Sequence, residues 1–271
     1  MHGVWAGVWD LLFPPRCAAC GGRDGHFCSR CQADLCRIAP PVCARCGDPL
    51  APASGRLVVG APVRSSRGVL PHCAACAAAP PAYALARSLA AYEGPLREAI
   101  HACKYQGARR VADALGVVLA NAIPPEVADG VRAVVPVPLH ASRLRERGYN
   151  QAEALAHPVA RRLGVPCLPA ALRRCRQEAP QARSGAAARR TNVAGAFAPG
   201  AHAVWGTVLL VDDVFSTGAT ADACAQALRA GGARRVHVLT LARALLRVQV
   251  RDLREARLAH WTTVAITPGG T

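Results

Sequence analysis

The sequence predicts an α/β protein with a parallel sheet and flanking helices, preceded by a small metal-binding domain. Two stretches, Val131–Val137 and Val208–Val211, predict strands, and the second has the continuous apolar character of a parallel strand that is buried on both faces. A helical pattern follows each run at a short distance, as in strand–helix alternation. Four Cys-x-x-Cys pairs lie before both runs. We therefore expect a small unit held by metal and a larger unit built on the sheet.

The cysteine pairs predict two structural zinc sites. The pairs are Cys17/Cys20, Cys28/Cys31, Cys43/Cys46 and Cys73/Cys76. Each pair can present two thiolates from one tight turn, and two such turns complete a tetrahedral Zn²⁺ site. Sequential pairing is the simplest arrangement and gives the first four cysteines to one zinc ion and the last four to another. Interleaved pairing stays open, as does the replacement of a thiolate by His26 or His72. Cys36 lies outside the four pairs and is expected to be a buried or spare thiol.

The regions around the cysteines suggest how the chain is divided. Residues 1–16 have the apolar spacing of an amphipathic helix, and their lack of a basic region argues against a signal peptide. We expect a double zinc ribbon over 17–79 with a loop at 51–70, a sheet domain over 82–245, and a tail over 246–271 without an assigned function. No window approaches 18 uninterrupted apolar residues, so no membrane span is expected. Paired cysteines that bind metal rather than form disulfides favour a cytoplasmic location.

The second unit reads as alternating strands and helices. Apolar runs, proline and glycine positions set the expected boundaries. Strands are predicted at Ser88–Tyr92, Val131–Val137, Val204–Val211 and Val236–Leu241; helices are predicted from Pro95 to Tyr105, from Arg109 to Ala122, up to Leu163, and from Ala221 to Ala230.

The end of the Val208–Val211 strand carries the chemistry of a phosphosugar site. Asp212 and Asp213 follow the strand directly, at the edge where open α/β sheets bind ligands. Carboxylates there can accept hydrogen bonds from ribose hydroxyls and hold a hydrated Mg²⁺, although adjacent strand residues should point to opposite faces unless the chain bends. A loop of small residues comes next and leads into the helix: Ser216, Thr217, Gly218, Ala219 and Thr220. Its amides, its hydroxyls and the positive end of the helix dipole can hold a phosphate.

This stretch resembles the phosphoribosyl-pyrophosphate (PRPP) signature of the type I phosphoribosyltransferases. The resemblance implies a phosphoribosyltransferase-like sheet that binds PRPP with Mg²⁺. In that family the loop after the strand ending at Pro136-Val137-Pro138 holds pyrophosphate. Arg143 and Arg147 suit that role here, because guanidinium groups bind phosphates bidentately. His140, beside the turn, is expected to be structural.

Further motifs narrow the resemblance to the ComF family of competence-associated, phosphoribosyltransferase-like proteins. They are Tyr92-Glu93-Gly94-Pro95-Leu96, Lys104-Tyr105-x-Gly107, Arg147-Gly148-Tyr149-Asn150-Gln151 and Asn192-Val193-x-Gly195-Ala196-Phe197, together with the cysteine pairs. The resemblance implies a role in natural transformation with the DNA-uptake machinery. It also implies that residues 173–197 form a hood over the phosphosugar, in which Glu178 stands where the family usually has threonine.

The charge distribution adds a second functional hypothesis. The chain has 33 basic and 17 acidic residues, and Lys104 is its only lysine. Residues 140–200 hold eleven arginines against three glutamates, which predicts a basic face for a polyanion. Two functions therefore stay open: transfer of ribose 5-phosphate from PRPP, and non-catalytic binding of single-stranded DNA. Because aromatic residues are scarce, DNA affinity would depend mainly on phosphate contacts.

Overall fold

A computed structural model describes residues 15–50, 63–65, 68–105, 107–176, 195–246, 249–251 and 253. The helices are α1 (Ser29–Ala33), α2 (Ala74–Ala78), α3 (Gly94–Tyr105), α4 (Arg109–Asn121), α5 (Pro125–Ala128), α6 (Ala141–Arg147), α7 (Gln151–Leu163) and α8 (Ala219–Ala230). The strands are β1 (Val63–Ser65), β2 (Gly68–Leu70), β3 (Leu85–Ala91), β4 (Val131–Pro136), β5 (Leu172–Arg174), β6 (Phe197–Pro199), β7 (Gly206–Phe215) and β8 (Ala233–Arg243). A short 3₁₀ turn covers Pro169–Ala171.

The main sheet confirms the predicted α/β class. Its four strands lie in the order β3-β8-β7-β4, and every neighbouring pair is parallel. The apolar run in β7 alternates between two cores. Leu209 and Val211 pack with α3, α4 and α7, whereas Val208 and Leu210 pack with α8 on the other face. The run is continuous because both faces of the sheet are covered.

The central strand is longer than predicted. The prediction that it ends at Val211 is wrong, because β7 continues to Phe215. Its extension pairs with β8 through Asp212 and Thr240, Val214 and Ala242, and Phe215 and Arg243. Polar side chains at the end of a strand leave the backbone groups free to pair. The two carboxylates therefore stand on a strand and not on a loop.

The structure also differs from the sequence-based prediction in segments where apolar periodicity is weak. The arginine-rich α6 and the short α5 were not predicted as helices. The predicted loop at 51–70 contains an antiparallel hairpin of β1 and β2, so the prediction is wrong for Val63–Ser65 and Gly68–Leu70. Residues 1–14, Glu178 and residues 254–271 lie outside the described residues. The predicted amino-terminal helix, the hood contact and most of the tail therefore stay predictions.

The cysteine-rich segment packs against the sheet domain. Cys17 and Leu35 share one buried cluster with Leu96 and Ile100 of α3. Cys43 shares the other with Tyr83, which precedes β3, and with residues of β7 and α8. The ribbon and the sheet domain thus have cores in common. The domain boundaries proposed from the sequence stay predictions.

Candidate functional site

The eight paired cysteines form two clusters. Within each cluster the four sulfur atoms lie within 4.8 Å of one another: Cys17, Cys20, Cys28 and Cys31 in the first, and Cys43, Cys46, Cys73 and Cys76 in the second. Sequential pairing is confirmed. Neither cluster includes a histidine, so the alternatives with His26 and His72 are wrong for the arrangement described. Cys36 is buried outside both clusters, as expected.

The sulfur geometry fits tetrahedral zinc. Sγ–Sγ distances are 3.7 Å for Cys17–Cys31, 3.6 Å for Cys20–Cys28 and 3.7 Å for Cys46–Cys73. A tetrahedron with Zn–S bonds of about 2.3 Å places its sulfurs about 3.8 Å apart. Backbone amides also point at the sulfurs, and the Cys73 amide donates to Cys43 Sγ at 3.3 Å. The two clusters therefore fit two structural zinc ions.

Elemental analysis is expected to give about two zinc ions per chain in protein purified without chelator. The physical reason is that each cluster supplies four thiolates and needs no further ligand. Clearly less than one zinc ion per chain in folded protein would contradict this prediction.

A cavity of about 280 Å³ opens at the carboxyl edge of the sheet. Carboxylates form one part of its lining and cationic side chains another. The charged or titratable residues in the lining are Lys104, His140, Arg143, Arg147, Arg174, Asp212 and Asp213. Thr220, in the first turn of α8, also lines it. The structure therefore brings the predicted acidic pair and both predicted pyrophosphate arginines to one cavity.

The two carboxylates reach this cavity from opposite faces of β7. Asp213 lies on the side of α3, where its Oδ2 is 2.8 Å from Lys104 Nζ. Asp212 also lines a smaller cavity on the side of α8, and its Oδ1 accepts the Asp213 amide at 2.9 Å. This agrees with the alternation expected for adjacent strand residues. The bend after β7 is not needed to bring both side chains to the cavity.

Burial and mutual charge perturb these groups. Burial, together with the neighbouring charge of Asp213, raises the pKa of Asp212 to about 7. Burial of the Lys104 ammonium favours its neutral form, but the Asp213 charge outweighs it and raises the pKa of Lys104. Lys104 therefore stays charged against Asp213. Perturbed pKa values of buried groups beside a charged partner are typical of functional sites.

The arginines of α6 form the outer part of the cavity. Arg147 donates to Gln151 Oε1 at 3.2 Å, and its guanidinium lies 5.7 Å from the centre of the Tyr105 ring. Arg143 is more exposed. His140 begins this helix, where its Nδ1 accepts the Ser142 amide at 3.3 Å, so its structural role is supported.

The Gly148–Gln151 stretch holds this outer part in place. Gly148 ends α6 with a φ of 76°, a left-handed conformation that favours glycine. The buried Tyr149 hydroxyl donates to the Cys103 carbonyl at 2.8 Å. Asn150 caps α7 through the Ala152 amide, and its Nδ2 donates to the Val137 carbonyl at 3.0 Å. The motif thereby ties α6 and α7 to α3 and to the end of β4.

The predicted phosphate loop is only partly arranged around the cavities. Ser216, Gly218 and Thr220 line the smaller cavity beside Asp212. Thr217 and Ala219 line neither of these two cavities, and the Thr217 Oγ1 instead accepts the Ala219 amide at 3.4 Å. Gly218 has a φ of 80°, and a Cβ there would lie 2.8 Å from the Phe215 ring. Both the backbone conformation and the contact with the Phe215 ring therefore require glycine at position 218.

Sequence reasoning missed two cationic residues of the cavity, Lys104 and Arg174. The sequence does carry a signal for the first. Lys104 is the only lysine of the sequence, and all other side chains of the Lys/Arg type are arginines. An amine carries a more compact charge than a guanidinium and loses its proton more readily. Arg174, at the end of β5, lies 5.3 Å over the Phe197 ring. No local pattern distinguishes it from the other arginines of this segment.

A buried arginine connects the second cysteine cluster to the phosphate loop. Arg243, the last residue of β8, donates to the Cys46 carbonyl at 2.7 Å and lies 3.1 Å from the Asp48 carboxylate. Its guanidinium also stacks 4.5 Å from the centre of the Phe215 ring. The same ring packs against Gly218. The ribbon and the loop thus contact the two sides of one arginine–phenylalanine pair.

Comparisons with known proteins agree with these features. A family model described as a double zinc ribbon domain matches residues 8–77. Competence protein F of Haemophilus influenzae is 29% identical over 86% of this chain and 99% of its own. The DNA utilization protein YhgH of Escherichia coli K12 is 30% identical over 82% of this chain and 92% of its own. This chain belongs to the ComF family. The Salmonella typhimurium YhgH protein is 31% identical over 81% of the ComF chain described here and 91% of its own.

Solved structures also match this chain. The glutamine PRPP amidotransferase of B. subtilis, complexed with ADP and GMP, covers 48% of this ComF chain with 24% identity and a TM-score of 0.33. This chain spans about a quarter of that protein's length. Among the described residues of the ComF chain, none of the helices has the length and apolar character needed to cross a membrane.

Proposed function

We propose that this ComF protein binds PRPP, or a related phosphosugar, with Mg²⁺ and acts in DNA uptake. The observation that carries the proposal is the pairing of two carboxylates with a cationic rim around one cavity of about 280 Å³. A phosphosugar has the matching chemistry, with hydroxyls at one part and anionic phosphates at another. The names of the relatives, competence protein F and DNA utilization protein, support the link to DNA. A cytoplasmic location is part of the same proposal.

Each part of the cavity has a distinct role in this proposal. Asp212 and Asp213 accept hydrogen bonds from the ribose hydroxyls, and their oxygens are ligands of the kind that Mg²⁺ takes. Arg143 and Arg147 bind the pyrophosphate through their guanidinium groups. Ser216 and Thr220 donate to the 5-phosphate beside the amino end of α8. Bound Mg²⁺ would neutralise charge on the pyrophosphate.

The reaction that this arrangement supports is pentosyl transfer. The bond between C1 of the ribose and the pyrophosphate oxygen breaks, pyrophosphate leaves with the electron pair, and an acceptor nucleophile forms a new bond to C1. The transition state has oxocarbenium character. Cationic groups beside the leaving oxygens stabilise the charge that develops there. The acceptor is not part of this proposal.

Non-catalytic binding of single-stranded DNA is the second candidate. The observation that favours it is the exposure of Arg143, which lines the cavity, and of Arg145 on the same helix. A nucleotide unit carries the same phosphate and sugar groups as a phosphosugar. The cavity could therefore accept one unit of a DNA strand in place of PRPP.

Isothermal titration of the full chain with PRPP and Mg²⁺ is expected to show saturable binding. Titration with a short oligonucleotide at two salt concentrations separates the second candidate, because phosphate contacts weaken steeply with salt. Changing Arg143, Arg145 and Arg147 together to Ala would flatten that salt dependence if DNA lies at the cavity mouth. A folded parent chain that binds no PRPP would overturn the phosphosugar proposal.

A further inference from the structure

An exposed tryptophan lies at the edge of the sheet opposite the cavity. Trp205 directly precedes β7 and is 72% exposed. Tryptophan is usually well buried, so this degree of exposure is uncommon for the residue type. Asp212 comes seven positions after Trp205, and at a rise of about 3.3 Å per residue the two backbone positions lie about 23 Å apart along the strand. The site is therefore separate from the cavity.

Arginines lie at the same edge of the sheet as this tryptophan because the amino ends of three strands lie side by side. Thr207 of β7 pairs with Val131 of β4 on one side and with Arg235 of β8 on the other. The Arg132 side chain lies over Gly206, the residue after Trp205, with its Cγ 3.1 Å from the position of a Cβ there. We call the group Arg132, Trp205, Arg229, Arg234 and Arg235 the amino-edge surface.

The remaining arginines approach from α8 and β8. Arg229 is exposed in the last turn of α8, and Arg234 and Arg235 are exposed at the start of β8. The turn between these elements contacts the residue before the tryptophan, since a Cβ on Gly232 would lie 2.8 Å from the Val204 carbonyl. The turn between α8 and β8 thus lies against the segment that carries Trp205.

Acidic residues are scarce at this edge. The segments 195–211 and 223–246, which build most of the surface, contain no aspartate or glutamate. Asp129, in the turn before β4, is an exposed acid beside it, and the exposed Glu126 pairs with Arg87. Within the described part of the chain, none of the four arginines forms an ion pair with a carboxylate. Their charges are therefore available to a polyanion.

We propose that the amino-edge surface binds single-stranded DNA, with Trp205 as a platform on which one base stacks. A single-stranded nucleic acid offers phosphates to the arginines and an unpaired base to the indole, which is the recognition typical of single-strand binders. A duplex keeps its bases stacked inside. An anionic membrane would need a wider apolar face than one tryptophan among arginines. The proposal refines the DNA role proposed above by placing DNA away from the phosphosugar cavity.

The test measures binding of a fluorescein-labelled oligo-dT by the full chain through fluorescence anisotropy. Trp205→Ala is expected to weaken binding about tenfold, whereas Trp205→Phe retains most of it, because phenylalanine keeps a stacking face. Changing Arg132, Arg234 and Arg235 together to Ala should reduce the salt slope by about two, since each phosphate contact on a single strand contributes about 0.7. The matched control is the triple Ala change at Arg143, Arg145 and Arg147, which removes the same charge from the opposite edge and should change affinity less.

Several results would overturn this proposal. They are unchanged affinity of the Trp205→Ala variant, a larger loss in the α6 control than in the amino-edge triple variant, and equal binding of duplex DNA. Binding of anionic lipid vesicles that depends on Trp205, without oligonucleotide binding, would also overturn it. So would a large fall in melting temperature for Trp205→Ala, because the indole would then pack against this chain.

A titration with PRPP and Mg²⁺ separates this proposal from the proposed function. We expect Trp205→Ala to bind PRPP as the parent does, because Trp205 lies about 23 Å from Asp212 along the strand. A parent chain that binds oligonucleotide through Trp205 but binds no PRPP would support the amino-edge surface and overturn the phosphosugar site.

Discussion

Asp213→Asn is expected to weaken the binding of PRPP with Mg²⁺ by about one to two powers of ten. The change keeps the shape of the side chain and removes the charge that would accept hydrogen bonds from the ribose. A hydrogen bond to a charged group is worth roughly 1.5–3 kcal/mol, and each 1.4 kcal/mol corresponds to about tenfold in affinity. The neutral amide also leaves the Lys104 ammonium without its carboxylate partner at 2.8 Å. Isothermal titration at fixed Mg²⁺ measures the effect.

Matched variants make this result specific. Asp129→Asn removes an exposed carboxylate from the turn before β4 and should leave PRPP affinity unchanged. Lys104→Met should also weaken binding, and the double variant Asp213→Asn with Lys104→Met should lose less than the sum, because the two side chains contact each other. Parental affinity in Asp213→Asn would place the phosphosugar elsewhere.

Cys43→Ser is expected to release the second zinc ion and to lower the melting temperature strongly. Structural zinc contributes about 10–16 kcal/mol of apparent binding free energy in small zinc domains, so its loss removes much of the folding energy of the ribbon. Because Cys43 is fully buried in the core that contains Tyr83 and residues of β7 and α8, the sheet domain should also loosen. Zinc analysis, thermal melting and limited proteolysis measure these effects.

The sequence alone predicts a narrower consequence, in which the ribbon unfolds more than the sheet domain and proteolysis is selective for the segment before Ala82. The structure adds an effect on the ligand site, since Arg243 connects Cys46 to the Phe215 ring beneath Gly218. Arg243→Met tests that connection in protein that keeps both zinc ions, and weaker PRPP binding is expected. Arg235→Met, at an exposed position of the same strand, is the control. Parental PRPP affinity in both Cys43→Ser and Arg243→Met would show that the ribbon does not support the loop.

The parts of the structure that could be predicted depend on local patterns. Spacing alone groups the cysteines into four Cys-x-x-Cys turns, because each turn presents both sulfurs to the same side, whereas the structure shows which two turns share a cluster. The apolar runs locate β4 and β7, and the acidic pair locates the cavity. By contrast, α6 has no apolar stripe, and its helix is fixed by a cap at His140 and a left-handed Gly148. Apolar periodicity does not record such local caps.

The contacts that organise the site are the least predictable part. Lys104 lies 109 positions before Asp213, and Arg243 donates to Cys46 across 197 positions. Such pairs form only when α3, β7, β8 and the ribbon are assembled. The sequence offers the unusual identity of Lys104 as a signal but not the identity of its partner. Arg243 has no comparable signal, because its neighbours along the chain are apolar residues of a core strand.

The interface between the zinc ribbon and the sheet domain determines which parts can be exchanged with relatives in a chimeric protein. Gly47 has a φ of 71°, and a Cβ there would lie 2.5 Å from the Ala86 carbonyl oxygen, so β3 admits only glycine at this point. The Ala86 amide in turn donates to the Arg45 carbonyl at 2.6 Å. A chimera joined at Pro80-Pro81 would place the zinc ribbon of a relative against β3 of this protein, whose backbone fits the native ribbon. A working graft has to exchange Gly47 and Asp48 together with position 243, so the unit of exchange is a three-dimensional interface and not a continuous segment.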